Sequence, residues 1–256
     1  AAVIDPGSPE LSVLLQRADA LPQLLPLLEQ AAAAEQLQDL AGAERLLQQA
    51  ADLDPQYLRT RSELQRVSAA YQEQRFNDAM SDGYVALDNN QFNSARKAFR
   101  TAAGLQPGSG EAASALQEVT AAETAFRLSS LKQQGERQEQ QEQWQQAVKT
   151  YEKAREIDAS VLFASEGLAR STPRARLDKQ FRAALEEPAR LSDVAVAEAT
   201  EKLVQQARQI NPAGPELKSQ IRQLQVLLQQ ANTPVRVVLR SDMETEVIVY
   251  KVARLG

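Results

Sequence analysis

Gln91-Phe92-Asn93-Ser94-Ala95-Arg96-Lys97-Ala98-Phe99-Arg100-Thr101-Ala102-Ala103-Gly104-Leu105-Gln106-Pro107 is the stretch that decides the fold, because its pattern recurs along the chain. Phe92, Ala95, Phe99, Ala102, Leu105 and Pro107 have counterparts 52 residues earlier in Leu40, Ala43, Leu47, Ala50, Leu53 and Pro55. A further 52 residues on stand Trp144, Ala147, Tyr151, Ala154, Ile157 and Ala159, where only the proline is lost. A weaker fourth copy follows after 53 residues, as Ala197, Thr200, Val204, Ala207, Ile210 and Pro212. A fixed period of this length points to a repeat architecture. Within each copy the spacing i, i+3, i+7, i+10, i+13 puts apolar and small residues on one helical stripe, and the proline then stops the helix. Small alanines let a neighbouring helix backbone approach, and the bulky residue between them fills the space beside it.

The order of Ala, bulky residue, Ala, aliphatic residue and Pro resembles the second helix of the tetratricopeptide (TPR) family, most clearly in Gln91 to Phe99 and Gln143 to Tyr151. That family carries a Gly twelve residues before the first of these alanines. Gly83 and Gly135 fall there, whereas Ala31 and Pro188 depart from it, so the first and fourth units read as degenerate or capping copies. The family repeat is about 34 residues, so each unit here carries about 18 more, and these extend a helix. The resemblance covers about Leu24 to Ile210.

Between Gln56 and Asn89 no proline occurs, and Leu64, Val67, Tyr71, Ala79 and Leu87 recur at roughly helical spacing, which predicts one helix of about 30 residues. Glu111 to about Gln140 reads likewise. In the third interval Pro173 is expected to split the long helix into about Ser160 to Arg170 and Arg174 to Glu187, with a new turn from Pro188. A last helix is predicted from Glu216 to Gln230, with Leu217, Ile221, Leu224 and Leu228 on one face. The pattern then changes: Val235, Val237 and Leu239 alternate with Arg236, Val238 and Arg240, and Glu246 to Val252 is β-branched and aromatic. The expected class is therefore all-α, a TPR-like helical solenoid of about four long helix-turn-helix repeats over residues 1–231, followed by a β-hairpin over 232–256. An isolated hairpin is marginal in water, so the hairpin either packs on the last helix or, the favoured reading, is the start of a small β domain. It resembles the opening strands of β-sandwich modules that follow helical repeats in bacterial envelope proteins.

Composition narrows the chemistry. The 256 residues contain no Cys and no His, which removes thiol nucleophiles, disulfides, His-based triads and the usual zinc sites. A net charge of -5 offers no dominant positive field to a phosphate backbone. Arg170, Arg174, Arg176 and Arg182 do gather, but Asp178, Glu186 and Glu187 stand among them, as on a solvated helix surface. Glu186 and Glu187 point about 100° apart on a helix and make a poor acid/base pair. Asp52, Asp54 and Asp158 sit beside helix-ending turns, where Asp caps a following helix. Gly104 to Gly110 lacks the Lys of a phosphate loop. Trp144, Phe99 and Tyr151 read as core through their repeat mates.

The expectation is thus a protein without catalytic residues, cofactor or metal, whose partner is another protein or peptide and not a nucleic acid. In the resembling family the second, fifth, ninth and thirteenth positions of the first helix line a concave groove. Here these are Asn77, Met80, Tyr84 and Asp88, and Ser129, Lys132, Glu136 and Gln140, with packing of Met80 and Tyr84 against the extended neighbouring helix as the equal alternative. The Lys and Asn pattern with which some members clamp a terminal carboxylate is not reproduced. The functional expectation is a non-catalytic interaction scaffold in a bacterial cell-envelope assembly; the alternative is a cytoplasmic adaptor or regulator that self-associates through its long helices. No run of about 18 apolar residues spans a bilayer. The expected compartment is the periplasm, with any membrane anchor supplied by sequence upstream of Ala1, and the alternative is the cytoplasm.

Overall fold

The computed structural model describes residues 9–231 and, beyond them, Thr233, Val238 and Arg240. Among the described residues there are nine α-helices: α1 Pro9–Gln36, α2 Leu40–Leu53, α3 Leu58–Asp88, α4 Phe92–Leu105, α5 Gly110–Gln140, α6 Trp144–Ile157, α7 Leu162–Glu186, α8 Val194–Arg208 and α9 Pro215–Ala231. A 3₁₀ turn over Pro188–Ser192 joins α7 to α8. The chain divides into two compact units, 1–123 and 124–256, with the division falling inside α5. In the first unit α1 packs on α2, α2 on α3 and α3 on α4; in the second α6 packs on α7 and α8 on α9. This sequential pairing is consistent with a helical repeat. The hairpin expected over 232–256 lies outside the described residues, which contain no strand.

The period read from the residues is kept by the backbone. α2, α4 and α6 are each 14 residues long and begin at 40, 92 and 144, while α3 and α5 are each 31 residues and begin at 58 and 110. The turn into each short helix has one construction. Gln38, Asn90 and Glu142, again 52 apart, adopt left-handed φ angles of 61°, 57° and 56°. The next residue's N–H then reaches back five residues, Asp39 to Ala34 O at 2.9 Å, Gln91 to Ala86 O at 2.8 Å and Gln143 to Gln138 O at 2.8 Å. A left-handed residue closing a helix with this six-to-one bond satisfies carbonyls that the last turn leaves open.

Core packing follows the predicted stripe. Ala95, Phe99 and Ala102 of α4 are fully buried against Met80 and Phe76 of α3 and Ala112, Ala115 and Val119 of α5. Ala43, Leu47 and Ala50 of α2 pack with Leu24, Leu28 and Ala31 of α1 and Val67 of α3. In the second unit Ala147, Tyr151 and Ala154 of α6 cluster with Ala164 of α7 and with Leu128 and Leu131 of α5. The glycines of the motif set the spacing. A Cβ on Gly83 would lie 2.3 Å from the Phe99 ring, and one on Gly135 or on Gly167 would lie 2.5 Å from the Tyr151 ring. Tyr151 is clamped between two helices by glycine on both sides. Its hydroxyl is buried without a hydrogen-bond partner, and burial first, then the charge of Glu139, raises its pKa against the opposing charge of Arg170.

Two expectations need correction. Pro173 does not split α7, which runs unbroken from Leu162 to Glu186. Proline in a helix interior costs about 3 kcal/mol or more through a lost hydrogen bond and a ring clash. Ala164, Gly167 and Ser171 before it and Ala175 and Phe181 after it are all buried, so breaking the helix would forfeit that packing. α1 likewise continues through Pro22 and Pro26. The aspartates at the turns also act differently from expectation. The N-caps of α3 and α7 are Tyr57 and Val161, which make no side-chain cap bond. Asp54 and Asp158 instead fold the linker, accepting the N–H of Gln56 at 2.9 Å and of Ser160 at 2.8 Å.

Asp54 has a second role, because Arg17 Nε of α1 donates to its Oδ2 at 2.8 Å. The Arg17 bond, with help from the Gln56 and Tyr57 N–H groups, holds the Asp54 carboxyl below its ordinary range against the cost of burial. A carboxyl whose folded pKa lies below its unfolded value stabilises the fold fully above about pH 4 and loses that contribution as the pH falls through the folded value. Asp54→Asn should therefore lower the thermal midpoint at pH 7 and flatten the decline of the midpoint below pH 4. An equal loss at pH 7 and pH 2, read by circular dichroism, would contradict this.

Candidate functional site

The eight groove positions fall in two sets of four, one in each unit, on α3 and on α5. On α3, Asn77 and Asp88 are exposed, but Met80 is only 4% exposed and belongs to the core around Phe99. Tyr84 is 37% exposed and sets its ring edge-on to Phe99, with centroids 5.0 Å apart. The open face of α3 thus consists of Asn77, Tyr84 and Asp88, with Val85 exposed beside Tyr84. On α5, Ser129, Lys132, Glu136 and Gln140 are all exposed, and Lys132 Nζ stands 4.0 Å from Glu136 Oε1 one turn along. A pair this exposed contributes little to stability. The same register on α1, 52 residues before Asn77 and Met80, is Leu25 and Leu28; Leu25 is exposed and Leu28 is core.

A second constellation, in the second unit, is centred on Glu142, which the sequence does not single out, and draws in Arg174, Asp178 and Arg182 from the charges expected on a solvated helix surface. Glu142, the left-handed residue before α6, is buried, and its carboxylate turns onto the N-terminus of α9. Oε1 accepts the N–H of Glu216 at 2.7 Å and Oε2 that of Leu217 at 3.1 Å. The segment Ala213-Gly214-Pro215 carries no side chain able to cap the helix itself, so Glu142 supplies the cap from 74 residues away. An anion there also complements the partial positive charge of a helix start. Gly214 makes room for it, since a Cβ would lie 2.2 Å from Oε1.

Around this cap the charges are shared. Arg174 Nη2 lies 3.6 Å from Glu142 Oε2, and its guanidinium sits 4.5 Å over the Trp144 ring. Burial lowers the Arg174 pKa, opposed by the charges of Glu142 and Asp178. Asp178 accepts from Gln220 Nε2 at 2.7 Å and from Arg182 Nε at 2.9 Å. Trp144 is therefore not the core residue expected of it. It is half-buried at the first position of α6, as Leu40 and Phe92 are at the starts of α2 and α4, and it carries a cation on its face. The carboxylates of Glu142, Asp178 and Glu216 are each engaged by N–H or guanidinium donors, so the cluster works as a latch tying α9 to α6 and α7. Among the described residues no group of three or more Asp or Glu converges in a way that could hold a metal ion.

Two open clefts flank the latch. One of about 780 Å³ is lined by Trp144, Asp178, Lys179, Arg182 and Glu186. The other, about 530 Å³, runs between α7 and α8 over Pro173, Leu177, Leu203, Ala207 and Ile210. In the first unit a shallow cleft over α4 is lined by Asn93, Arg96, Lys97, Arg100 and Thr101, with Arg96 held by Glu123 at 2.7 Å.

No model of a known protein family matches the chain, and no curated protein matches it. No helix among the described residues is long and apolar enough to cross a membrane.

Removing the cap tests the latch. Glu142→Ala should cost about 1–3 kcal/mol, because it leaves two helix-start N–H groups and the half-buried Arg174 guanidinium without their partner. Glu142→Gln should cost less, since an amide oxygen still accepts one bond. Hydrogen exchange of the α9 amides should accelerate in Glu142→Ala ahead of those in α6. An unchanged denaturation midpoint with unchanged α9 protection would contradict the assignment.

Proposed function

We propose that the chain is a non-catalytic protein–protein interaction scaffold, a TPR-like solenoid of extended 52-residue repeats working in a bacterial cell-envelope assembly. The observation that carries this reading is the exposure of Tyr84, with Leu25 at the groove register one repeat earlier. Residues whose helical neighbours are committed to the core are themselves left open, and Tyr84 is flanked by the polar Asn77 and Asp88. An amphipathic aromatic on a rigid helix, rimmed by polar side chains, is the composition favoured at protein interfaces. Rigidity is supplied by the clamp below it, because the Tyr84 ring rests on the buried Phe99. The latch around Glu142 supports the same reading, since its polar groups are spent on holding helices.

The periplasm is the compartment we propose. The Cys-free composition is compatible with it, and the β-branched run after α9 resembles modules of envelope proteins.

Capture of partners by the immobilised chain from a cell extract, compared with the double variant Leu25→Ala, Tyr84→Ala, tests the groove. The double variant should retain its helix content and lose at least tenfold in the affinity for whichever protein the parent chain enriches. Undiminished capture by the double variant would remove the groove from the reading.

A further inference from the structure

The buried stripe of α4 follows the repeat, but its open face does not. Asn93, Arg96, Lys97, Arg100 and Thr101 line a cleft of about 580 Å³ in the first unit. The same five positions are Ala41, Glu44, Arg45, Gln48 and Gln49 in α2, and Gln145, Val148, Lys149, Glu152 and Lys153 in α6. A cation at the register of Lys97 is common to all three helices, and α2 and α6 each set a glutamate on this face. α4 instead gathers three cations there and contains no Asp or Glu, in a chain whose net charge is -5.

Such a concentration works against the helix that carries it. Lys97 and Arg100 lie three residues apart and Arg96 and Arg100 four, the spacings at which like charges repel on a helix surface. Arg96 is compensated, since its Nη2 donates to Glu123 Oε2 of α5 at 2.7 Å and its Nη1 to Asn93 Oδ1 at 3.1 Å. Among the described residues no carboxylate pairs with Lys97 or Arg100, and both are exposed. Packing does not ask for these charges either, because α4 contributes Ala95, Phe99 and Ala102 to the core from its other face. A local rule broken without a compensating contact inside the fold points to a contact outside it.

We propose that this face of α4 binds an acidic peptide segment of a partner protein, with Arg96 and Arg100 taking successive side-chain carboxylates and Lys97 adding a third positive contact. Charge complementarity decides the occupant. Arg96 is held in place by Glu123 and Asn93, and guanidinium groups match carboxylates in geometry as well as charge. From Arg96 to Arg100 the helix rises about 6 Å, close to the roughly 7 Å between alternate side chains of an extended segment. Duplex nucleic acid draws its affinity from about 6–10 phosphate contacts, more than three cations on an acidic chain supply. A bilayer surface would call for apolar side chains beside the cations, whereas Phe99 is buried and Phe92 half-buried. The inference rests on the scaffold reading for the kind of partner, but it uses residues other than the groove around Tyr84.

The probe is fluorescein-labelled decaglutamate, titrated with the full chain at pH 7 in about 0.1 M salt and read by fluorescence anisotropy. Saturable binding with a dissociation constant below about 1 mM is expected. The double variant Lys97→Gln, Arg100→Glu should weaken it at least tenfold with helical circular dichroism unchanged, since α2 and α6 already carry Gln48 and Glu152 at the register of Arg100. Arg61→Glu, a charge reversal at an exposed position of α3, should leave the affinity within about twofold. Absence of saturable binding, equal binding by the double variant, or equal weakening by Arg61→Glu would overturn the proposal. Tighter binding of a single-stranded oligothymidylate or of phosphatidylserine vesicles, lost in the double variant, would also overturn it, by assigning the face to a nucleic acid or a membrane. The groove variant Leu25→Ala, Tyr84→Ala should bind decaglutamate as the parent does, so that a failure of the groove and a failure of this face are read separately; loss of binding there would move the site to the groove and sink the assignment to α4.

Discussion

A ring on a short helix pressed against a glycine on a long one is the contact from which the remaining order of this chain follows. Phe99 meets Gly83, and Tyr151 meets Gly135 and Gly167, at distances that exclude even a methyl group. Burying one such ring contributes on the order of 2–3 kcal/mol, but only if the helix backbones come close enough to surround it. Glycine permits that approach, and the alanines one turn to either side of each ring, at 95 and 102 and at 147 and 154, extend it along the helix. The first repeat solves the same problem with a different pair. Ala31 and Leu47 occupy the same two register positions, so a larger small residue faces a smaller large one.

The turns and the surface then repeat because the core does. Three residues 52 apart take a left-handed conformation, although none of Gln38, Asn90 and Glu142 is glycine, so the six-to-one bonds around them must offset the steric cost. The salt bridges of Arg66 with Glu35 and of Arg170 with Glu139 are separated by two periods, while Glu118 and Leu87 at the intermediate position cannot form one. Exposed pairs of this kind are optional, whereas a size-matched pair of long-helix and short-helix residues recurs in the first three copies. The regularity ends where Glu142 is diverted from a mere turn residue to the cap of α9. From there α8 and α9 form a cluster with Phe181 and Leu191.

Much of this could be read from residue order, because a helical stripe with a proline behind it is a local pattern. Helices α2 to α6 and the 52-residue period were legible for that reason. Pro173 misled because its penalty is local and the packing that outweighs it comes from other helices. Met80 was assigned to the groove by family register, yet α3 also faces Phe99 and Val119, whose demand for packing no count along α3 reveals. Trp144 followed its mates Leu40 and Phe92, which are themselves half-buried. The Glu142 latch was invisible since it joins residues 74 apart without a repeating partner; the one available hint was a helix starting at Gly214-Pro215 with nothing to cap it.

The central claim, that the size match between a long-helix residue and a short-helix residue sets the repeat, is tested most directly by transplanting the first repeat's pair into the second repeat. A double-mutant cycle of Gly83→Ala and Phe99→Leu, read by chemical denaturation, compares the two changes singly and together. Gly83→Ala alone should cost about 1–3 kcal/mol by overpacking, and its cost should fall by at least about 1 kcal/mol when Leu replaces Phe99, as it does opposite Ala31. Additive losses, or a Gly83→Ala variant as stable as the parent, would contradict the account.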